Sequence, residues 1–157
     1  MKIIFLQDED FVNYKKPSMF IGFPYCSFKC ERDCGKEMCQ NKPLAHSPII
    51  NINADSVVMR YINNDITKAI VLGGLEPLDS FDDVVELLKT LRQYTNDDFV
   101  IYTGYNEEEI FDKVELLKKY CNVIIKYGRY IPDEESHYDD ILGVELVSHN
   151  QYSKKIS

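Results

Sequence analysis

The chain has 157 residues, 45% of them hydrophobic and 28% charged, with a formal net charge of −8. That length suffices for one domain with a sizeable core and no covalent staples, and the acidic balance weighs against a general binder of nucleic acid or anionic membrane, since both favour a basic face. The opening MKIIFLQDEDF reaches acidic residues after the short apolar stretch IIFL, so no secretory h-region is expected there. No apolar run is long enough to span a bilayer, and the expected compartment is the cytoplasm.

In chain order, SMFIGF (Ser18–Phe23) is a short apolar run that reads as a strand and ends at a cysteine-rich loop. NINADSVVMRYINN carries Val57, Val58, Tyr61 and Ile62 at helical spacing, with Asn53 or Asp55 as N-cap. KAIVLGG (Lys68–Gly74) is a buried strand running into paired glycines. DSFDDVVELLKTLRQY follows as an amphipathic helix, with Val84, Val85, Leu87, Leu88 and Leu91 inward. DFVIYTG reads as a strand, NEEEIFDKVELLKKY as a helix, NVIIKYG as a strand, and ILGVELVS as the last strand. Alternation of this kind, with near-continuous Val/Ile strands, signals a parallel sheet covered by helices. No repeat, low-complexity tract or linker divides the chain, so a single domain over residues 1–157 is expected. In parallel α/β sheets ligands lie beyond the carboxyl ends of the strands. The cysteine loop, GGLEPLD, TGYN and YGRY each follow one of these strands and should share one rim.

Four of the five cysteines lie in FPYCSFKCERDCGKEMCQN (Phe23–Asn41). An odd count and a reducing compartment weigh against disulfides. Cys121, apart in KKYCNVIIKYG, is expected to be a small buried hydrophobe. Structural zinc usually uses two paired knuckles with a longer spacer, whereas the spacing here is C-x3-C-x3-C-x4-C with no second knuckle. Soft thiolates on one compact loop (residues 24–43) suit an iron–sulfur cluster at least as well.

These segments together resemble the radical S-adenosylmethionine (SAM) superfamily, and within it the small activating protein of anaerobic ribonucleotide reductase. That family places a C-x3-C-x2-C loop after its first strand. Cys26 and Cys30 match the first pair, and MCQNKP (Met38–Pro43) is similar to the third-cysteine segment. GGLEPL resembles the GGE-P motif, with Leu75 where glycine is usual. YTGY, VIIKYGRYI and VSHNQ are similar to later stretches of these activators, and EDFVNYKKPSMFI loosely echoes their first hairpin. The spacing departs from the family: eight residues separate Cys30 from Cys39, and Cys34 falls inside that expansion. Either Cys34 or Cys39 could be the third ligand, and the Gln40-Asn41-x-Pro43 context favours Cys39.

The resemblance implies an α/β fold, a single-domain partial (open) β/α barrel of mostly parallel strands. It implies a [4Fe–4S] cluster held by three thiolates, whose open iron takes SAM and whose electron splits SAM to methionine and a 5′-deoxyadenosyl radical. Gly73, Gly74 and Glu76 would take the SAM ammonium, with Thr103 and Asn150 near its adenosyl or carboxylate groups, and Ser148 and Gln151 closing the rim. The implied partners are a glycyl radical enzyme subunit, ribonucleotide-reductase-like, and an electron donor such as flavodoxin or ferredoxin. No nucleic acid and no membrane are expected. The competing expectations are a divergent radical SAM enzyme acting on a small molecule or peptide, and a non-catalytic iron–sulfur or zinc module.

Overall fold

The computed structural model describes every residue but Lys36 and Met38, and every other side chain except that of Cys34. The strands are β1 (Lys2–Ile3), β2 (Phe5–Asp10), β3 (Ser18–Phe23), β4 (Ile50–Asn51), β5 (Ala69–Gly74), β6 (Asp98–Tyr102), β7 (Val123–Tyr127), β8 (His137–Asp139), β9 (Val144–Leu146) and β10 (Tyr152–Lys155). The α-helices are α1 (Lys29–Cys34), α2 (Ala54–Ile62), α3 (Phe81–Leu91) and α4 (Phe111–Leu117). Six strands form one sheet in the order β10-β7-β6-β5-β3-β2. Its four central strands, β3, β5, β6 and β7, are mutually parallel and succeed one another across the sheet in the order of the chain. β2 and β10 close the two edges antiparallel. The expected α/β class with mostly parallel strands is therefore what the chain adopts, as an open sheet whose two edges do not pair with each other.

Strand periodicity sorts the core into two layers. Met19, Ile21, Ile70, Leu72, Phe99, Ile101, Val123 and Ile125 pack on the inner faces of α2, α3 and α4. The alternate residues Ala69, Val71, Val100 and Ile124 meet Tyr14, Leu142 and Leu146 on the other face. Val84, Leu87, Leu88 and Leu91 of α3 are all fully buried, and burying such a side chain stabilises by about 1.5–3 kcal/mol each. Val85 is only partly buried beside them. Of the two candidate caps of α2, Asn53 does the capping, accepting from the Ser56 N–H at 2.7 Å. A cap of this kind contributes about 1 kcal/mol.

Two expectations need correction. The run ILGVELVS does not complete the sheet, because only Val144–Leu146 is extended, and it pairs with β8 in a separate hairpin. The sixth strand is Tyr152–Lys155, an antiparallel edge strand whose exposed YSKK sequence carries no apolar alternation to announce it. Cys121 is exposed rather than buried, and its thiol donates to Asn96 Oδ1 at 3.0 Å. It falls in the turn between α4 and β7, where apolar neighbours in sequence do not bring burial. Among the described residues, no helix is long and apolar enough to cross a membrane.

Candidate metal centre and adjoining cavity

The cysteine loop leaves β3 beside the loop that leaves β5, and backbone hydrogen bonds join the two. Leu75 N–H donates to Phe23 O at 3.0 Å, and Glu76 N–H to Tyr25 O at 2.8 Å. Gly74 makes this approach possible. Its φ is +83°, and a Cβ there would sit 2.8 Å from Gly22 Cα and from Phe23 N, so only glycine fits without moving backbone. Phe28 N–H points at Cys26 Sγ at 3.2 Å, and Ser27 N–H is held by Asp79 Oδ2 at 2.9 Å. The short helix α1 then carries Cys30 and stops at Gly35, whose φ is +67°.

Cys26, Cys30 and Cys39 are all free, partly buried thiols and line one cavity of about 410 Å³. Burial pushes the Cys26 thiol up to about 11, with Glu76, Asp79 and Cys30 adding to it. Burial, then the neighbouring Cys39, pushes Cys30 up as well. Thiolates here are therefore unfavourable until a cation compensates them, which is what a metal group supplies. Cys34 ends α1, and its side chain lies outside the described residues, as does Met38. Among the described residues, no three His, Cys, Asp or Glu side chains close round a single point as a mononuclear ion requires.

Gly73, Gly74, Glu76 and Thr103 line the same cavity, and so does Leu75. Glu76 is no solvated carboxylate. It is 6% exposed, and it accepts from Leu78 N–H at 3.1 Å, Thr103 Oγ1–H at 2.8 Å and Gly104 N–H at 2.9 Å. Burial raises its carboxyl to about 7 against the pull of those donors. Thr103 gives its hydroxyl proton to Glu76 and accepts from Tyr105 N–H, so it supports the carboxylate. Asn150 does not line the cavity; its amide donates to Arg129 O at 2.8 Å. Ser148 bonds to the backbone of Ile131.

Sequence reasoning missed Lys126. It lies at the end of β7, buried, with its ammonium on Gly128 O at 3.0 Å, and it lines the cavity. Burial lowers it to about 8, while the negative charge of Glu76 raises it. A lysine at the end of the otherwise apolar run VII was the available signal. Beside it, Gln151 is buried and its Oε1 has no hydrogen-bond partner. Arg129 also lines the wall, tied to Glu109 Oε1 at 2.7 Å. The cavity thus has three soft thiols and, on its other walls, a buried carboxylate, a buried ammonium and an unpaired amide oxygen.

The family described as "4Fe-4S single cluster domain" matches residues 18–151. The chain belongs to this family. No curated protein and no solved structure matches it. The match to the 4Fe-4S single cluster domain family begins at the first residue of β3 and ends at Gln151, so it takes in all three cavity thiols and the Gly73–Glu76 loop. The cofactor implied is a [4Fe–4S] cluster, and the donor set fits it. Three soft sulfur donors on one cavity are the ligand chemistry of such clusters.

Proposed function

We propose that the protein is a radical SAM enzyme of the glycyl-radical-activating type, holding a [4Fe–4S] cluster through Cys26, Cys30 and Cys39. The observation that carries this reading is the convergence of those thiols with Glu76 and Lys126 on a single 410 Å³ cavity. An amino acid group presents one ammonium and one carboxylate, and the cavity offers one buried group of each opposite sign. Together, the bound cluster and SAM supply a one-electron cleavage of the sulfonium bond. The chain's own part is positioning. Glu76 has three of its acceptor sites used by protein donors, which leaves room for one ligand ammonium. Lys126 is aimed by Gly128 O and stands ready for a carboxylate. Phe20 and Tyr102, both partly buried, contribute apolar wall to the cavity. A partner loop carrying the glycine would supply the rest of the enclosure and bring its Cα–H into reach.

The deciding experiment is anaerobic reconstitution followed by reduction. About four irons per chain, an electron resonance signal altered by SAM, and 5′-deoxyadenosine with a glycine doublet on the added partner are the expected results. A single bound zinc with no response to SAM would sink the enzyme and leave a binding module. Leu75 on the cavity wall favours one second reading, a radical SAM enzyme whose reshaped pocket takes a small molecule or peptide. That reading is chosen if 5′-deoxyadenosine forms with such a substrate while every glycyl radical partner stays silent.

Lys126→Met separates ligand binding from folding. Burial draws this lysine from 10.5 to about 8, and each pKa unit corresponds to about 1.4 kcal/mol. A depressed lysine binds fewer protons in the folded state, so its cost is largest below pH 8 and fades as pH rises toward 10.5. Methionine should therefore leave stability at pH 7 unchanged or raise it, by up to about 3 kcal/mol. SAM affinity should fall about tenfold or more with the charge-assisted contact gone. Unfolding midpoints and equilibrium dialysis read the two effects, and undiminished affinity would remove Lys126 from the ligand site.

A further inference from the structure

Cys39 lies nine residues beyond Cys30, a separation that extended chain could stretch to about 30 Å. Yet both thiols line one cavity. The fold-back is made by Glu31, the residue next to Cys30. Its Oε1 accepts from Cys39 N–H at 3.1 Å, and its Oε2 accepts from Lys42 Nζ at 3.1 Å. Lys42 is bound in turn by Glu37 Oε1 at 2.7 Å, and its own N–H donates to Cys39 O at 3.1 Å. The Glu31 side chain is 13% exposed and that of Lys42 40%, so the bond to Cys39 N–H is less screened than the ion pair with Lys42. One carboxylate thus joins the helix that carries the second thiol to the amide of the third, and one lysine grips both the carboxylate and the far side of Cys39.

We infer that Glu31, locked by Lys42, is a positioning residue that presents the Cys39 thiol to the metal group across the expanded spacing. The role rests on Cys39 being the third ligand, and the experiment tests that separately. The Glu31 carboxylate reaches Cys39 through that residue's backbone N–H. Hydrogen bonds to a charged acceptor are strong enough that losing one shifts an equilibrium about tenfold or more.

The first arm uses apoprotein, alkylated under reducing conditions and read cysteine by cysteine by mass spectrometry. Glu31→Ala should speed alkylation of Cys39 about tenfold and leave Cys26 within about twofold, since the contacts described above reach Cys39 and Lys42. Glu31→Gln, which keeps an oxygen for Cys39 N–H but gives up the charge that holds Lys42, should recover part of the protection. Lys42→Met should give an intermediate rate and serves if the alanine variant folds poorly. The second arm uses reconstituted protein and follows iron release to a chelator, expected about tenfold faster in Glu31→Ala and partly restored by Glu31→Gln. A general loss of structure would expose Cys26 and Cys39 alike, and that pattern overturns the proposal. So does a wild-type alkylation rate at Cys39 in a folded Glu31→Ala. If Cys39→Ala keeps its full iron, the ligand assignment itself fails. If Cys39→Ala loses iron while Glu31→Ala releases it no faster than wild type, the ligand stands and the clasp is wrong.

Discussion

Replacing Cys26, Cys30 or Cys39 by alanine should abolish iron incorporation and every SAM-dependent signal, whereas Cys34→Ala should leave a SAM-responsive cluster. The first three residues share one cavity with the Gly73–Glu76 loop. A thiolate ligand cannot be replaced by a methyl group, and metal affinity built from several thiolates falls by orders of magnitude when one is lost. The fold should survive loss of Cys26, Cys30 or Cys39, because its core lies in the strand and helix faces that pack on the sheet and none of these three belongs to it. Circular dichroism and the unfolding midpoint of the apoproteins should stay close to wild type while iron analysis and electron resonance collapse. The reverse outcome, iron lost in Cys34→Ala and kept in Cys39→Ala, would show that the expansion is bridged at Cys34. Loss of iron in all four variants would point to a site closed by four thiolates, with no position open for SAM.

The sheet was legible in the sequence because its central strands are near-continuous apolar runs, and each ends at a loop rich in glycine or functional groups. Ser18–Phe23 and the strand ending at Gly74 are found almost residue for residue. The edge strands are less visible. β2, FLQDED, and β10, YSKK, take their conformation from hydrogen bonding to a neighbour, and half-exposed polar residues leave no period to read. The thiols, Gly73, Gly74 and Glu76 could be named from sequence, but two things could not. The burial of Glu76 depends on Thr103 and Gly104, donors from the next strand's loop. The placement of Lys126 depends on β7 lying two strands from β5 with its end at the same rim. Asn150, from the same C-terminal stretch, is held by Arg129 O, and the neighbouring Gln151 takes the wall. A one-residue offset along a loop decides which amide faces a cavity, and no periodicity encodes it.

Glu76→Ala should have the largest effect of any change outside the cysteines, and Glu76→Gln should divide that effect into two parts. Alanine strips the acceptors from three donors, Leu78 N–H within the loop after β5, and Thr103 Oγ1–H and Gly104 N–H, which tie that loop to the loop after β6. Each buried donor left without a partner costs about 1–3 kcal/mol, so a loss of about 3 kcal/mol or more is expected even if water reaches one of them. Glutamine keeps an oxygen for Leu78 and Thr103 but sets an amide N–H against Gly104 N–H, so one donor is stranded at about 1–3 kcal/mol; the neutral amide also removes the burial cost that raises this carboxyl to about 7, so the net loss at neutral pH should be small. Both variants remove the negative charge that would meet the SAM ammonium. In folded Glu76→Gln, SAM affinity should therefore fall roughly ten- to a hundredfold while iron content stays at the wild-type level. Chemical denaturation reads the first quantity, and binding titration of the reconstituted protein reads the second. If affinity in Glu76→Gln equals wild type while stability drops in Glu76→Ala as expected, Glu76 is a structural tie between two loops and the ligand ammonium is held elsewhere. A carboxylate kept buried for folding alone should also be replaceable by the isosteric amide once Gly104 N–H is accommodated. One that faces a ligand cation should not.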